Sequence, residues 1–300
     1  MSRLDAALLV MALIWGTNYA IVKSSFRQID PQAFNALRLI LASSVLVLTS
    51  RVAARLDLDD TFHTRERVTR DEWIRLAAIG LVGHGIYQYL FVGGLARTSV
   101  ANSALIISMT PMVITLASAV GDKERIGALH WAGTILSLAG IYLVVGRGAH
   151  VTAESMRGDL MLMAAVICWA SYTIGARPLM TRHSPLGVTA LSMLIGTLFY
   201  VPAVSGHLAR LDWHTVDAAT WIKLIYSALF ALCVAYTIWY AAVRRIGSAR
   251  TAVYSNLLPI VAMITAYLWL HEPVGPAKLM GAAAVLGGVA LTRMAHAPVA

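Results

Sequence analysis

Residues 94–146 read GLARTSVANSALIISMTPMVITLASAVGDKERIGALHWAGTILSLAGIYLVVG, and residues 242–294 read AVRRIGSARTAVYSNLLPIVAMITAYLWLHEPVGPAKLMGAAAVLGGVALTRM. A shift of 148 positions lays the first on the second without a gap. Pro111 then meets Pro259, Glu124 meets Glu272, Gly133 meets Gly281, Gly140 meets Gly288 and Ala101 meets Ala249. An earlier block repeats at a shift of 154, where Trp15 meets Trp169, Lys23 meets Arg177 and Pro31 meets Pro185. Chance seldom keeps prolines, glycines and a loop glutamate in one ungapped frame. The chain reads as a duplication, with residues 1–148 forming the first unit and 149–300 the second.

Composition says where such units reside. Hydrophobic residues make up 58% of the 300, charged residues 13%, and mean hydropathy is +0.69, which leaves too little polar surface to coat a soluble globule. The apolar residues fall in runs such as Leu4 to Val22, Phe34 to Thr49 and Ile126 to Val145, each near the ~20 residues that cross a bilayer. The reading is an all-α integral membrane protein with ten spans: 4–24, 32–52, 73–95, 99–120, 127–147, 158–178, 186–205, 219–242, 248–270 and 274–294. The first run is expected to stay as a helix, because no small-x-small cleavage site follows it before Lys23. A polar segment at 53–72 carries Arg55, Arg65, Arg67 and Arg70 among several acids.

The formal charge of +9 does not indicate nucleic acid, since the basic residues are scattered between apolar runs rather than gathered with aromatics in a groove. Loop positives that hold topology explain them. With a cytoplasmic N-terminus, the inner side receives fifteen of the 24 Lys and Arg, the outer side eight, and Arg38 falls within the second span. That bias places both termini inside. Five crossings per unit is odd, so two tandem units thread the membrane in opposite senses. Inverted repeats are a recurring transporter architecture, with substrate sites near the midplane where the repeats meet.

The residues also resemble the EamA-type members of the drug/metabolite transporter superfamily. The resemblance rests on Leu13-Ile14-Trp15-Gly16-Thr17-Asn18, Ala36-Leu37-Arg38, Thr98 to Asn102, Thr110-Pro111, Glu124 and Trp131-Ala132-Gly133. Echoes recur at Trp169, Leu258-Pro259 and His271-Glu272-Pro273. It implies export or exchange of small metabolites, amino acids among them, across a bacterial inner membrane, by alternating access through a central cavity. The halves differ: Ala170 stands where the first half has Gly16, and Ser192 where it has Arg38. The site is therefore not expected to be symmetric.

Candidate substrate-binding groups follow from polar and aromatic residues inside the spans. All fifteen acids are expected in loops or at helix ends, which removes the midplane carboxylate that many proton-driven and cation-carrying pumps use. That leaves facilitated diffusion, exchange, or proton coupling through another group. Arg38 is either a partner for an anionic substrate group or a structural contact to helix-end carbonyls or Asp30. His84, Tyr87, Gln88 and Phe91 share one face of the third span, either lining a hydrated cavity or bonded to a neighbouring helix. Trp15, Asn18 and Tyr19 share a face of the first span, and Trp169 and Tyr172 take the matching places in the sixth. Tyr236 shares a face of the eighth span with Trp239 and Tyr240, which approach the inner interface and are not taken as site residues; Tyr254 and Asn256 lie on the ninth. Rings with a few amides and hydroxyls suit a small amphipathic solute.

Pro111 and Pro259 are expected mid-helix as matched kinks or gates. The small-residue stripes of Gly133, Ser137, Gly140 and Ala277, Gly281, Ala284, Gly288 read as close helix packing, and they leave a homodimer open. Glu124 and Glu272 read as helix caps. Cys168 and Cys233 fall inside spans as small packing residues. No metal ligand set, cofactor motif or catalytic cluster is legible. The expected partners are a small-molecule substrate and membrane lipid, and the rival readings are a membrane-embedded enzyme or a sensor.

Overall fold

The computed structural model describes residues 3–64, 66–110, 112–114, 117, 128–146, 152–247, 251 and 253–294. Among them there are helices and turns and no strand. Six helical stretches are long and apolar enough to cross a bilayer: α1 (Arg3–Ser25), α2 (Pro31–Arg55), α3 (Arg70–Arg97), Ala153–Thr181, Pro185–Ala203 and Ala218–Ile246. The shorter helix α4 (Val100–Ile107) and helix α5 (Ala128–Gly146) complete the first half. The second half comprises α6 (Ala153–Ala176), α7 (Pro185–Ala203), α8 (Ala218–Ile246), α9 (Leu258–Leu270) and α10 (Pro276–Met294). Large apolar side chains cover the outside, including Leu13, Leu48, Ile74, Ile167, Leu198 and Ile222, each more than half exposed. A water-soluble fold does not leave such a belt bare; hydrocarbon tails cover it.

The helix starts obey local chemistry. Asp30 caps α2, its carboxylate accepting from the amides of Gln32 and Ala33, with Pro31 in the first turn. Ser184 caps α7 in the same way before Pro185. Both prolines therefore stand where a missing N–H removes no helical bond. A reciprocal Thr69–Glu72 box opens α3, and Asp217 opens α8. At the far end, Gly247 ends α8 with a φ of +84°, a backbone state that suits glycine.

Packing pairs follow the duplication. α5 packs on α10, α2 on α7 and α4 on α9, each the counterpart of the other. α3 packs on α6, and its counterpart α8 packs on α1; α1 packs on α9, and its counterpart α6 packs on α4. Close backbone approach makes these crossings possible. A Cβ built on Gly196 of α7 would lie 2.4 Å from His84 Cβ and 2.5 Å from the Gly80 carbonyl oxygen of α3. A Cβ on Gly140 of α5 would lie 2.8 Å from the Gly281 carbonyl oxygen of α10. The small-residue stripes thus already face each other within one chain.

Four expectations about local form change. α3 contains a π-helical stretch at Leu81–Ile86, and α8 contains one at Ser227–Val234. Shifted by 148, the first falls inside the second, so the wide turn is itself duplicated. The fourth span is not one continuous α-helix: α4 ends at Ile107 and a turn follows at Ser108 and Met109. The ninth opens as a 3₁₀ turn, Val253–Leu257, before α9. Pro259 consequently sits in the first turn of α9, not mid-helix, where its ring costs no hydrogen bond. Pro111 and Glu124 lie outside the described residues. Finally, Asp159 is not at a helix end. α6 begins at Ala153, so Asp159 lies a turn and a half inside it and is 3% exposed, beside Thr98 and Asn102.

Candidate functional site

The duplicated helices meet around a central cavity. Its wall includes Trp15, Asn18 and Tyr19 of α1, Arg38 of α2, Tyr87, Gln88 and Phe91 of α3, Trp169 of α6, and Tyr236 and Trp239 of α8. Ile107, Ser108, Thr110, Ser255 and Leu258 come from the broken stretches around α4 and α9. Five repeat-related pairs thus contribute to one wall: Trp15 with Trp169, Gln88 with Tyr236, Phe91 with Trp239, Ile107 with Ser255 and Thr110 with Leu258. Two of these pairs touch. The Trp15 and Trp169 rings meet edge to face at 5.9 Å, and Gln88 Nε2 donates to the Tyr236 hydroxyl at 3.4 Å.

Aromatic rings form most of the wall. Trp169 lies 5.2 Å from both Tyr87 and Tyr236, and Trp15 lies 5.5 Å from Trp239, centroid to centroid. Tyr87 stacks on Phe91, which meets Tyr19 edge to face. The π-helical stretch of α8 helps fix this arrangement. A π turn departs from the regular hydrogen-bond ladder, and Trp15 Nε1 donates to the Ala231 carbonyl within it at 2.9 Å.

Arg38 is fully buried, and its guanidinium points to uncharged acceptors. Nη2 donates to Asn35 Oδ1 at 2.6 Å and to Gln88 Oε1 at 2.8 Å, and Nη1 donates to Ser227 Oγ at 3.0 Å. Asp30, one of the two structural partners weighed from sequence, instead pairs with His207 at 2.9 Å. Three polar atoms of the cavity wall have no hydrogen-bond partner among the described residues: Arg38 Nε, Trp239 Nε1 and Asn18 Oδ1. Buried polar atoms are rarely left so, and all three belong to residues of the cavity wall.

Next to the cavity, a polar triangle joins three helices. His84 Nε2 and the Tyr172 hydroxyl are 3.0 Å apart, the Tyr172 hydroxyl and Ser192 Oγ 2.9 Å, and Ser192 Oγ and His84 Nε2 3.4 Å. Ser192 is the counterpart of Arg38, so the guanidinium network of one half is replaced by neutral groups in the other. His84 and Tyr172 touch the wall rings but are not part of the cavity wall. Tyr254 is also away from it: its hydroxyl donates to Asp5 at 2.6 Å. The side chain of Asn256 lies outside the described part of the structure.

Eight residues singled out from sequence therefore share one wall, namely Trp15, Asn18, Tyr19, Arg38, Tyr87, Gln88, Trp169 and Tyr236. Trp239 was missed as a wall residue. A shift of 148 from Phe91 leads straight to it, so the duplication held the signal.

In this conformation the cavity is narrow, with the rings of Trp15, Trp169 and Tyr236 in mutual contact at 5.2–5.9 Å between centroids. Polar contacts tie the protein at both ends. At one end Arg182 pairs with Glu66 and Glu72, His183 with Glu72, and Arg244 with Asp60. At the other, Gln28 exchanges hydrogen bonds with Asp217, and Arg97 pairs with Glu154. There too Glu272 pairs with Lys23 and accepts from the Val100 amide, capping α4 rather than its own neighbour α10.

Apolar outer faces, several bilayer-length helices and a buried aromatic cavity define a multi-pass membrane protein with an internal cavity. Its sequence matches the EamA-like transporter family twice, over residues 3–146 and 156–294, and the chain belongs to that family. It is similar to the uncharacterized transporter YyaM of Bacillus subtilis, 24% identical over 94% of this chain and 90% of that protein. It is also similar to a probable terminal-alkyne amino-acid exporter of Streptantibioticus cattleyicolor, 27% identical over 72% of this chain and 71% of that one. A probable amino-acid metabolite efflux pump of Salmonella typhimurium is 25% identical over 96% of this chain and 94% of its own. A crystal structure 19% identical shares the fold, with a TM-score of 0.68 over 97% of this chain and 99% of that one.

Proposed function

We propose that the chain crosses a bacterial inner membrane ten times, as two five-helix repeats (1–148 and 149–300) of opposite orientation with both termini cytoplasmic. In this reading it exports or exchanges small amphipathic metabolites, amino acids being the class named for two of its relatives, by alternating access through the aromatic cavity. One observation carries this reading: five repeat-related pairs of residues line a single central cavity. A duplicated wall can exchange its two halves' conformations, which yields states open to one side and then the other. The narrowness of the cavity fits a transporter between those states. Opening either end separates polar pairs that range from exposed, such as Arg182 with Glu66, to largely buried, such as His183 with Glu72.

The test is flux of radiolabelled amino acids and related acids in proteoliposomes, with Trp169→Ala beside the unaltered chain. Saturable flux that Trp169→Ala abolishes, while the variant still inserts and unfolds normally, supports the proposal. Undiminished flux in that variant removes the cavity from the path. Cysteine labelling that finds the two termini on opposite sides refutes the ten-crossing topology.

A further inference from the structure

Among the described residues of the cavity wall, Arg38 is the one side chain that carries a full charge, and none is a carboxylate. The guanidinium is 1% exposed, and its three hydrogen bonds go to an asparagine, a glutamine and a serine. Among the described residues, no acid forms an ion pair with it. A buried cation without a counter-ion is a costly arrangement inside a bilayer. Its Nε–H has no acceptor, and neither has the indole N–H of Trp239. Among the described residues, Asn18 Oδ1 is a buried wall acceptor likewise without a partner, and the wall's other side-chain acceptors are neutral hydroxyls and the Gln88 amide. The remainder of the wall is chiefly aromatic.

We infer that the cavity selects a monoanionic carboxylate with an aromatic or similarly flat apolar body, in preference to the zwitterion or the amine of the same skeleton. The inference rests on the cavity being the transport site and adds the substrate's charge. A carboxylate placed on Arg38 neutralises the buried guanidinium and supplies acceptors for its free N–H, once the mutually contacting rings of Trp15, Trp169 and Tyr236 part to admit the body. Charge-assisted bonds of this kind are the strong ones. An added ammonium group meets ring faces, wall hydroxyls and Asn18 Oδ1, all of them uncharged. It also enters the field of Arg38 with no carboxylate from the protein to balance it.

The experiment is calorimetric titration of the purified full-length protein in detergent, with four ligands of one skeleton: 3-phenylpropionate, phenylalanine, phenethylamine and 3-phenylpropanamide. Chloride and inorganic phosphate are titrated alongside. The expected order is propionate tightest, at least about tenfold tighter than phenylalanine, with the amide intermediate and the amine weakest. Arg38→Gln should lose the preference for propionate over the amide while still binding the amide. Arg38→Lys should keep part of the preference, because the charge remains. Phenylalanine or phenethylamine binding as tightly as propionate overturns the inference alone, as does an Arg38→Gln protein with unaltered propionate affinity. Chloride competing as well as the aryl acid reduces Arg38 to an inorganic-anion site and overturns it too. If none of the four organic ligands binds, the cavity itself fails as a substrate site and the functional proposal falls with the inference. Should Arg38→Gln not fold, the ligand order on the unaltered protein still decides the matter.

Discussion

Gly196→Ala adds one methyl group at the place where α7 crosses α3. The new Cβ would lie 2.4 Å from His84 Cβ and 2.5 Å from the Gly80 carbonyl oxygen. Neither atom is the tip of a flexible side chain, so no rotamer change relieves the contact. Restoring an ordinary separation of about 3.5 Å requires the two helices to part by roughly 1 Å. A gap of that size forfeits a quarter to a half of each dispersion contact along the crossing, and overpacking of this type typically costs ~1–3 kcal/mol. It would also stretch the Ser192–His84 contact, already 3.4 Å, beyond hydrogen-bonding range. The control is Gly206→Ala, in the short helix Ser205–Ala209, where an added Cβ meets nothing within 4 Å. Unfolding in mixed detergent micelles, followed by tryptophan fluorescence, should show Gly196→Ala destabilised by that amount and Gly206→Ala unchanged or slightly stabilised. If Gly196→Ala unfolds like the unaltered chain, the tight crossing of α3 and α7 is wrong, and with it the placement of His84 beside Ser192.

Trp15→Phe keeps a ring in the cavity but removes the donor to the Ala231 carbonyl. The loss of that bond should cost ~1–3 kcal/mol in the same unfolding assay, and a stability within error of the original would argue against the contact. Glu272→Ala removes both the cap on the Val100 amide and the partner of Lys23, for an expected ~1–2 kcal/mol. Glu272→Gln should recover part of that, because an amide oxygen still accepts from Val100. The hydrogen bond from Gln28 and the amide of Thr220 hold the Asp217 carboxyl below the usual carboxylate range. A depressed value favours the folded state above the unfolded carboxylate pKa, and this contribution fades as pH falls through the lower folded value. Asp217→Asn should therefore flatten the acid limb of a stability–pH profile, and an unchanged limb would show that the contact is not formed in solution.

The class of this protein was legible in composition and in one ungapped self-alignment. Long apolar runs, few charges and prolines and glycines in register are properties of the chain itself, and they yielded helices, duplication and a transporter architecture without any contact being known. Eight of the wall residues were also legible, because a polar or aromatic face at helical spacing in an apolar span has few other uses. Where chain-local reasoning stopped is equally physical. Helix periodicity cannot distinguish α from π turns, so the wide stretches of α3 and α8 were invisible. Nor could it tell that the fourth and ninth spans break beside the cavity, which moved Pro259 to a helix start.

His84, Tyr172 and Tyr254 carry the right chemistry for a cavity wall, yet packing sends the first two into a triangle with Ser192 and the third to Asp5. Trp239 carries no more local signal than any interface tryptophan, and only its place opposite Phe91 marks it. Sequence alone determined the helices, their repetition and the residue types available to a site. Tertiary structure decided which of those residues face one another, because burial, crossing geometry and hydrogen-bond partners arise between helices distant in the chain and are encoded in none of them singly.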